Sequence, residues 1–477
     1  MLAYTKVFII ACLFRAHFAI AFSGITEVDV STCQLPPKLA QEIDSYAPIV
    51  KNIIKEATSG SFKGVTWNEL SYFVDTFGPR LYGTEVLEQS IDYVLNKSIE
   101  CGLENVHGEH VPVPHWIRGK ESATLLKPRR KNIALLGLGY SVGTPPEGIT
   151  ARAIVVNSLD ELHQRKNEVR GKIVVYNQKY VNYAETADYR VIGASVASRY
   201  GAVAALINSV TPFSLYTPHT GEQMYEQNVT KKIPAACITA EDAALLRRMS
   251  QRGNTIEINL KMEAKNLPDT ISRNIVAEIN GTTNPEKVVV VSGHIDSWDV
   301  GQGAMDDGGG AFVSWEALKL LKHLNLRPRR TIRMIMWTAE EAGMIGANHY
   351  IKAHKAEEHN LQFVMESDLG TFTPLGLEYT GTDEVKCILA RILKLLSPMG
   401  KMGLRIPQLG PDIEAWAQAG VPAGSLWTQN EKYFYYHHTN ADTMLLEDPE
   451  ALDKGTAVFA AVAYVLADIT VDLPRHK

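Results

Sequence analysis

The chain has 477 residues, of which 45% are hydrophobic and 21% charged, and a formal net charge of -5. That length exceeds what one hydrophobic core organises and predicts two or three folding units, while ordinary glycine, proline and charge usage excludes a disordered or fibrous chain. The mild acidity leaves no electrostatic footprint for nucleic acid, and the short basic runs Lys127 to Lys131 and Arg327 to Arg330 read as solvated faces.

At the start of the chain, Lys6 precedes the apolar run Val7 to Phe14, and Ala19-Ile20-Ala21 offers small residues for cleavage, so residues 1–21 read as a secretory signal peptide. The run is too short to span a bilayer, and no membrane anchor is expected. Acceptor sequons at Asn96, Asn228 and Asn280 agree with export. Loss of the signal removes Cys12 and leaves Cys33, Cys101, Cys237 and Cys387. So sparse a set in a large chain reads as buried and free thiols, with bridges the lesser expectation.

Apolar spacing predicts helices over Lys38 to Ala57, Trp67 to Phe77 and Glu85 to Cys101, then a strand near Val106 to Val113. From about Ser122 to Asn266 the texture changes to short strands, such as Ala153 to Val156 and Lys172 to Tyr176, with a helix near Gly193 to Tyr200. A separate small β-rich domain is expected there. From Asn274 onward strands and helices alternate: Val288 to Ser292, helix Gly310 to Leu324, Thr331 to Thr338, helix Met344 to His354, Phe363 to Ser367. That alternation predicts an α/β fold, a mainly parallel mixed sheet flanked by helices, whose site lies beyond the carboxyl ends of the strands.

The polar residues of this half fall at those ends. His294 and Asp296 stand two apart as a buried strand runs out, which at strand periodicity lets the Asp296 carboxylate fix the imidazole tautomer. Asp306 and Asp307 sit in a glycine-rich turn that opens a helix. An Asp there can be a simple N-cap, but so many glycines suit a loop wrapped around a metal or substrate. Glu340 and Glu341 end a hydrophobic strand, where a carboxylate must find a cation or a proton, and adjacent residues in a turn point in different directions. Asp368 ends the next strand, and the tyrosine-rich loop Tyr433 to Asp442 supplies His437 and His438. Each is equivocal alone, but together they place imidazoles and carboxylates on one side of one sheet.

These motifs resemble the co-catalytic di-zinc aminopeptidases and glutamate carboxypeptidases over most of the mature chain. The resemblance implies two zinc ions per chain: His294 and Asp368 on one, Glu341 and His438 on the other, Asp306 bridging both, and Glu340 as general base. By charge, two zinc ions and three ligand carboxylates leave room for a bridging hydroxide. It also implies a cis Asp306-Asp307 bond, a homodimer, small peptide substrates with free termini, a removable segment over residues 22–48, and residence in the secreted, endoplasmic reticulum, Golgi and lysosomal compartments. Gly171 to Tyr176, Gly201 to Asn208 and Ile233-Pro-Ala-Ala resemble a protease-associated domain inserted over 122–267, which splits the peptidase domain into 49–121 and 268–477. Two other readings compete: a non-catalytic binding protein on the same scaffold, similar to the transferrin receptor, and a single-zinc acyl transferase like glutaminyl cyclase. Either His437, Tyr435 or Tyr436 is open as the group that steadies the oxyanion.

Overall fold

The computed structural model describes residues 27–475, except 228, 230 and 406–408. The signal sequence and the Asn228 sequon lie outside the described residues; Asn96 and Asn280 are exposed. The chain forms two compact units: Trp116–Leu267 is one, and the chain on either side of it, up to His115 and from Pro268, is the other. No described helix is long and apolar enough to cross a membrane.

The two-segment unit is built on an eight-stranded mixed sheet in the order Glu104–Ile117, Lys265–Ile279, Arg330–Trp337, Asn284–His294, Leu361–Glu366, Ala423–Thr428, Pro374–Thr380, Gly403–Arg405. The four central strands run parallel and antiparallel partners flank them, as the alternation of strands and helices predicts. Side chains alternate across the sheet. Val289 and Val291 join the core beneath helices Gly309–His323 and Pro449–Asp468, whereas Val288 and Val290 pack toward Tyr350 and Trp416 on the other face. Covering on both faces explains why these strands read as unbroken apolar runs.

The helix predicted over Lys38 to Ala57 is two helices, Pro37–Ser45 and Ala47–Ser59. Pro48 has no N–H with which to continue the first helix, and so it begins the second. A cut at residue 48 therefore falls inside a helix. Leu39 and Ile43 of the first helix are buried in the core, Arg391 pairs with Asp44, and Val28 donates its N–H to the Leu404 carbonyl at 2.8 Å. Cys33 is bonded to Cys387, with Cα atoms 5.2 Å apart. The expectation of free thiols therefore fails for this pair, because helix Pro37–Ser45 lies against helix Asp383–Leu395 and brings distant cysteines together; it holds for Cys101 and Cys237.

The unit Trp116–Leu267 has its own eight-stranded mixed sheet, in the order Lys131–Ile133, Glu121–Lys127, Glu257–Met262, Ile149–Val156, Ile173–Tyr176, Ala204–Asn208, Ala235–Ile238, Leu135–Gly137. Helices Leu159–Gln164, Tyr183–Arg199 and Ala240–Gln251 accompany it. The second of these starts well before the predicted Gly193, because its buried residues in that first part are Thr186 and Arg190, and its apolar ones, Ala194 and Ala197, come only later.

Candidate metal centre

Where the parallel strands of the larger sheet end, their last residues and the loops beyond them converge. The strand Asn284–His294 delivers His294 at its final position, with the imidazole fully buried. Its Nδ1 lies 2.9 Å from the Asp296 main-chain carbonyl and 3.6 Å from the Asp296 carboxylate. The expected carboxylate–imidazole bond is thus replaced by one to the carbonyl, since residue 296 is already past the pleated strand and strand alternation no longer applies. A carbonyl can only accept, so Nδ1 donates and the Nε2 lone pair is free for a cation. The Asp296 carboxylate instead accepts the main-chain N–H groups of Glu340 and Glu341 at 3.1 and 3.3 Å.

The glycine-rich turn carries Asp306 and Asp307, which are joined by the expected cis peptide bond. Helix Gly309–His323 starts directly against the strand ends. Its packing admits only glycine there, because a Cβ on Gly310 would come 1.9 Å from the Ser367 carbonyl and one on Gly293 would come 2.6 Å from the Ala311 nitrogen. Asp307 turns inward and accepts the His294 N–H at 3.0 Å. Asp306 faces two ways. Its Oδ1 lies 3.3 Å from His294 Nε2, while its Oδ2 lies 3.3 Å from His438 Nε2 and 3.5 Å from His437 Nε2. Around Oδ1 stand His294 and Asp368, whose Oδ1 is 3.5 Å from His294 Nε2. Around Oδ2 stand His437 and His438, and Glu341 Oε2 reaches to 3.0 Å from His438 Nε2. Two overlapping groups with metal-ligand spacing result, His294–Asp306–Asp368 and Asp306–His437–His438. Glu340 Oε2 is 3.8 Å from His294 Nε2, beside the first group.

Electrostatics call for cations here. Burial pushes the carboxyls of Glu340 and Glu341 well above their ordinary range, and for Glu341 the neighbouring Asp306 and Glu340 add to this. Burial also works against ionising Asp306, but His437 and His294 outweigh it and hold its carboxyl low. His294 is buried too, yet the surrounding Asp296, Asp306 and Asp368 raise its pKa. His294 Nε2, Asp306 Oδ2 and Glu341 Oε1 are all buried without a hydrogen-bond partner. Buried acceptors of this kind are costly unless a proton or a metal satisfies them, and the carboxylate–imidazole set suits a divalent transition metal.

All six residues singled out from sequence as ligands or base are therefore brought together. His437 joins them, stacked on His438 with ring centroids 3.5 Å apart, and Tyr433 packs on His437 at 5.1 Å. Tyr433 is buried, unlike Tyr435 and Tyr436. Sequence reasoning passed over Tyr433, because the short helix Tyr433–Tyr436 is aromatic throughout and nothing along it marks which ring turns inward. It also passed over the buried carboxyls of Glu366 and Asp412, and over Arg80, whose guanidinium is fully buried under the site.

The peptidase family M28 pattern matches residues 274–463. Carboxypeptidase Q of Mus musculus is 52% identical over 92% of this chain and 93% of its own length, and that of Xenopus laevis is 53% identical over 91% and 92%. A peptidase M28 precursor from Shewanella amazonensis, known from its crystal structure, is 32% identical and superposes with a TM-score of 0.86 over 91% of this chain and 100% of that one. A zinc aminopeptidase from Bacillus subtilis shares the fold at a TM-score of 0.65 and 22% identity, over 84% of this chain and 94% of that one. The chain belongs to peptidase family M28 and is a metallo-exopeptidase.

Proposed function

We propose that this exopeptidase holds two zinc ions and hydrolyses small peptides, in particular dipeptides with free amino and carboxyl termini. The observation that carries the reading is Asp306, one carboxylate with an oxygen turned to each of two ligand groups. His294 and Asp368 would complete one ion, and Glu341 and His438 the other. Bound there, zinc supplies Lewis acidity that acidifies water and polarises the scissile carbonyl. Glu340 then takes the water's proton on a carboxylate oxygen and returns it to the leaving amine. The two glutamates are anchored through one residue, because both of their N–H groups end on Asp296. Of the three candidates for steadying the oxyanion, the reading takes His437, supported by its burial and its stacking on His438.

The same reading includes export, residence in the secretory pathway and lysosome, and a homodimer, in keeping with similarity to carboxypeptidase Q over nearly the whole chain. The test is a panel of dipeptides with N-acylated and C-amidated counterparts, assayed with zinc and after chelation. Free dipeptides should be cleaved, blocked ones should resist, and chelation should abolish a rate that zinc restores. Equal cleavage of blocked and free peptides would overturn the substrate assignment, and a rate indifferent to chelation would overturn the metal.

A further inference from the structure

The loop Gln302 to Asp306, which carries Asp306 into the site, lies between two buried charges of opposite sign. On its carbonyl side is Arg80, 0% exposed, whose Nη1 donates to the Gln302 carbonyl at 2.8 Å and whose Nη2 donates to the Gly303 carbonyl at 2.9 Å. The same guanidinium donates through Nε to the Ile295 carbonyl, one residue after His294, and through Nη1 to Gly78. On its amide side is Asp442, 3% exposed. Asp442 Oδ1 accepts the N–H groups of Ala304 and Met305 at 3.1 and 2.7 Å, and Oδ2 accepts that of Asp306 itself at 3.1 Å. The Asp442 carbonyl also accepts the Gln302 N–H at 2.7 Å.

Carbonyl oxygens meet the cation and amide hydrogens meet the anion, so the peptide dipoles of the loop are aligned by the pair. Three ligand-bearing stretches are joined in this way: the end of the His294 strand through Arg80, the Asp306 loop through both charges, and the His438 loop through Asp442. Space reinforces the clamp. Gly303 has φ +56°, and a Cβ there would lie 2.3 Å from Ser297 and 3.1 Å from Arg80 Nη2; one on Gly301 would lie 2.6 Å from the Asp442 carbonyl.

We propose that Arg80 and Asp442 are positioning residues that work as one charge clamp across the loop and fix Asp306 where it can serve two metal ions. This rests on the two-metal reading. Arg80→Lys keeps the charge, but an ammonium cannot fork to carbonyls on two loops. Asp442→Asn keeps the shape but sets an NH2 group against a main-chain N–H. Full-length wild type, both single variants and the double variant are compared by zinc affinity in competition with a chromogenic chelator, and by amide hydrogen exchange over 304–306 in the metal-free proteins.

Each single variant should bind zinc 10–100-fold more weakly, the usual effect of losing a partner of a metal ligand. Each should also speed exchange at 304–306, and this includes Arg80→Lys, which removes no bond to those amides. The double variant should be little worse than the poorer single one, because breaking either side releases the loop. Full additivity in the double variant would overturn the clamp, as would a variant that melts earlier yet keeps wild-type zinc affinity and exchange. Should wild type bind no zinc, the two-metal reading fails, while the exchange cycle still decides for or against the clamp.

Discussion

Each unit contains an eight-stranded mixed sheet with four parallel strands at its centre, and the two differ in the residues placed just past the strand ends. In Trp116–Leu267 those residues are neutral amides and hydroxyls. Gln178 and Asn208 exchange bonds between their side-chain amides and main-chain carbonyls at 2.7 and 2.9 Å, while Asn182 and Thr239 cap the next helices. In the other unit the corresponding ends carry His294, Glu340, Glu341 and Asp368, and polar atoms of His294 and Glu341 are buried without partners. In both sheets the parallel strands leave a ledge at their carboxyl ends. Neutral amides and hydroxyls make it a scaffold, whereas a cluster of buried carboxylates and imidazoles suits it to a metal.

The difference is broken most sharply at Glu340. Glu340→Gln should leave metal content unchanged and lower turnover by about 10²–10⁴-fold, the usual cost of losing a general base. Glu341→Gln should instead weaken metal binding. Metal per chain and turnover at several zinc concentrations separate the two, and a Glu340→Gln enzyme rescued by added zinc would show the base to be misassigned.

A smaller effect is expected where the two units differ in covalent ties. Replacing Cys33 and Cys387 by serine should cost about 2–5 kcal/mol of stability, read from denaturant unfolding. If the chain is cut after residue 48, the released segment should stay attached on a non-reducing gel and separate only on reduction. Cys237 in the other unit, fully buried with its thiol pushed up to about 12, should resist alkylation until that unit opens.

Separate from these is a pH dependence of the metal-free protein. Burial raises Glu366 and Glu447 from 4.5 to about 8. The folded chain therefore binds more protons than the unfolded chain between about pH 4 and pH 8, and its stability falls as pH rises through that window, by about 1.4 kcal/mol per pH unit for each extra proton held. Zinc should flatten the part of this slope that arises from Glu341 and Asp368. Calorimetry at steps from pH 5 to 8, with and without zinc, measures both, and a flat metal-free profile would contradict the buried charges. The smallest change belongs to the scaffold sheet. Asn182 accepts the Glu185 N–H at 2.9 Å, so Asn182→Ala should cost about 1 kcal/mol and leave zinc uptake untouched.

The strand ends were legible because His294, Glu341 and Asp368 each follow an apolar run that stops abruptly, a pattern local enough to read along the chain. Arg80 was not legible: the bond to Ile295 spans 215 residues, and nothing in Gly78-Pro79-Arg80 marks a buried guanidinium. The disulfide, which closes 354 residues, is equally invisible to spacing. His294 was assigned correctly as a strand end, but the partner of its imidazole was not, because the strand stops at the ligand and residue 296 belongs to a turn. Polar burial misled the reading once more at helix Tyr183–Arg199, whose inward face holds Arg190 and Ser195 where an apolar stripe is expected.

The glycines against which helix Gly309–His323 begins carry a consequence for descent with modification. Gly171 and Gly253 would meet nothing within 4 Å if each gained a methyl group, so their claim on glycine is conformational and asparagine can in part replace it. Gly293 and Gly310 have no positive φ, yet backbone atoms stand 2.6 and 1.9 Å from where a methyl would sit. No flexible side chain can yield there. A lineage could shed the ligands one at a time and keep the fold, but it could not add a single carbon at these two positions without moving a strand end, so they should persist even in descendants that no longer cut peptides.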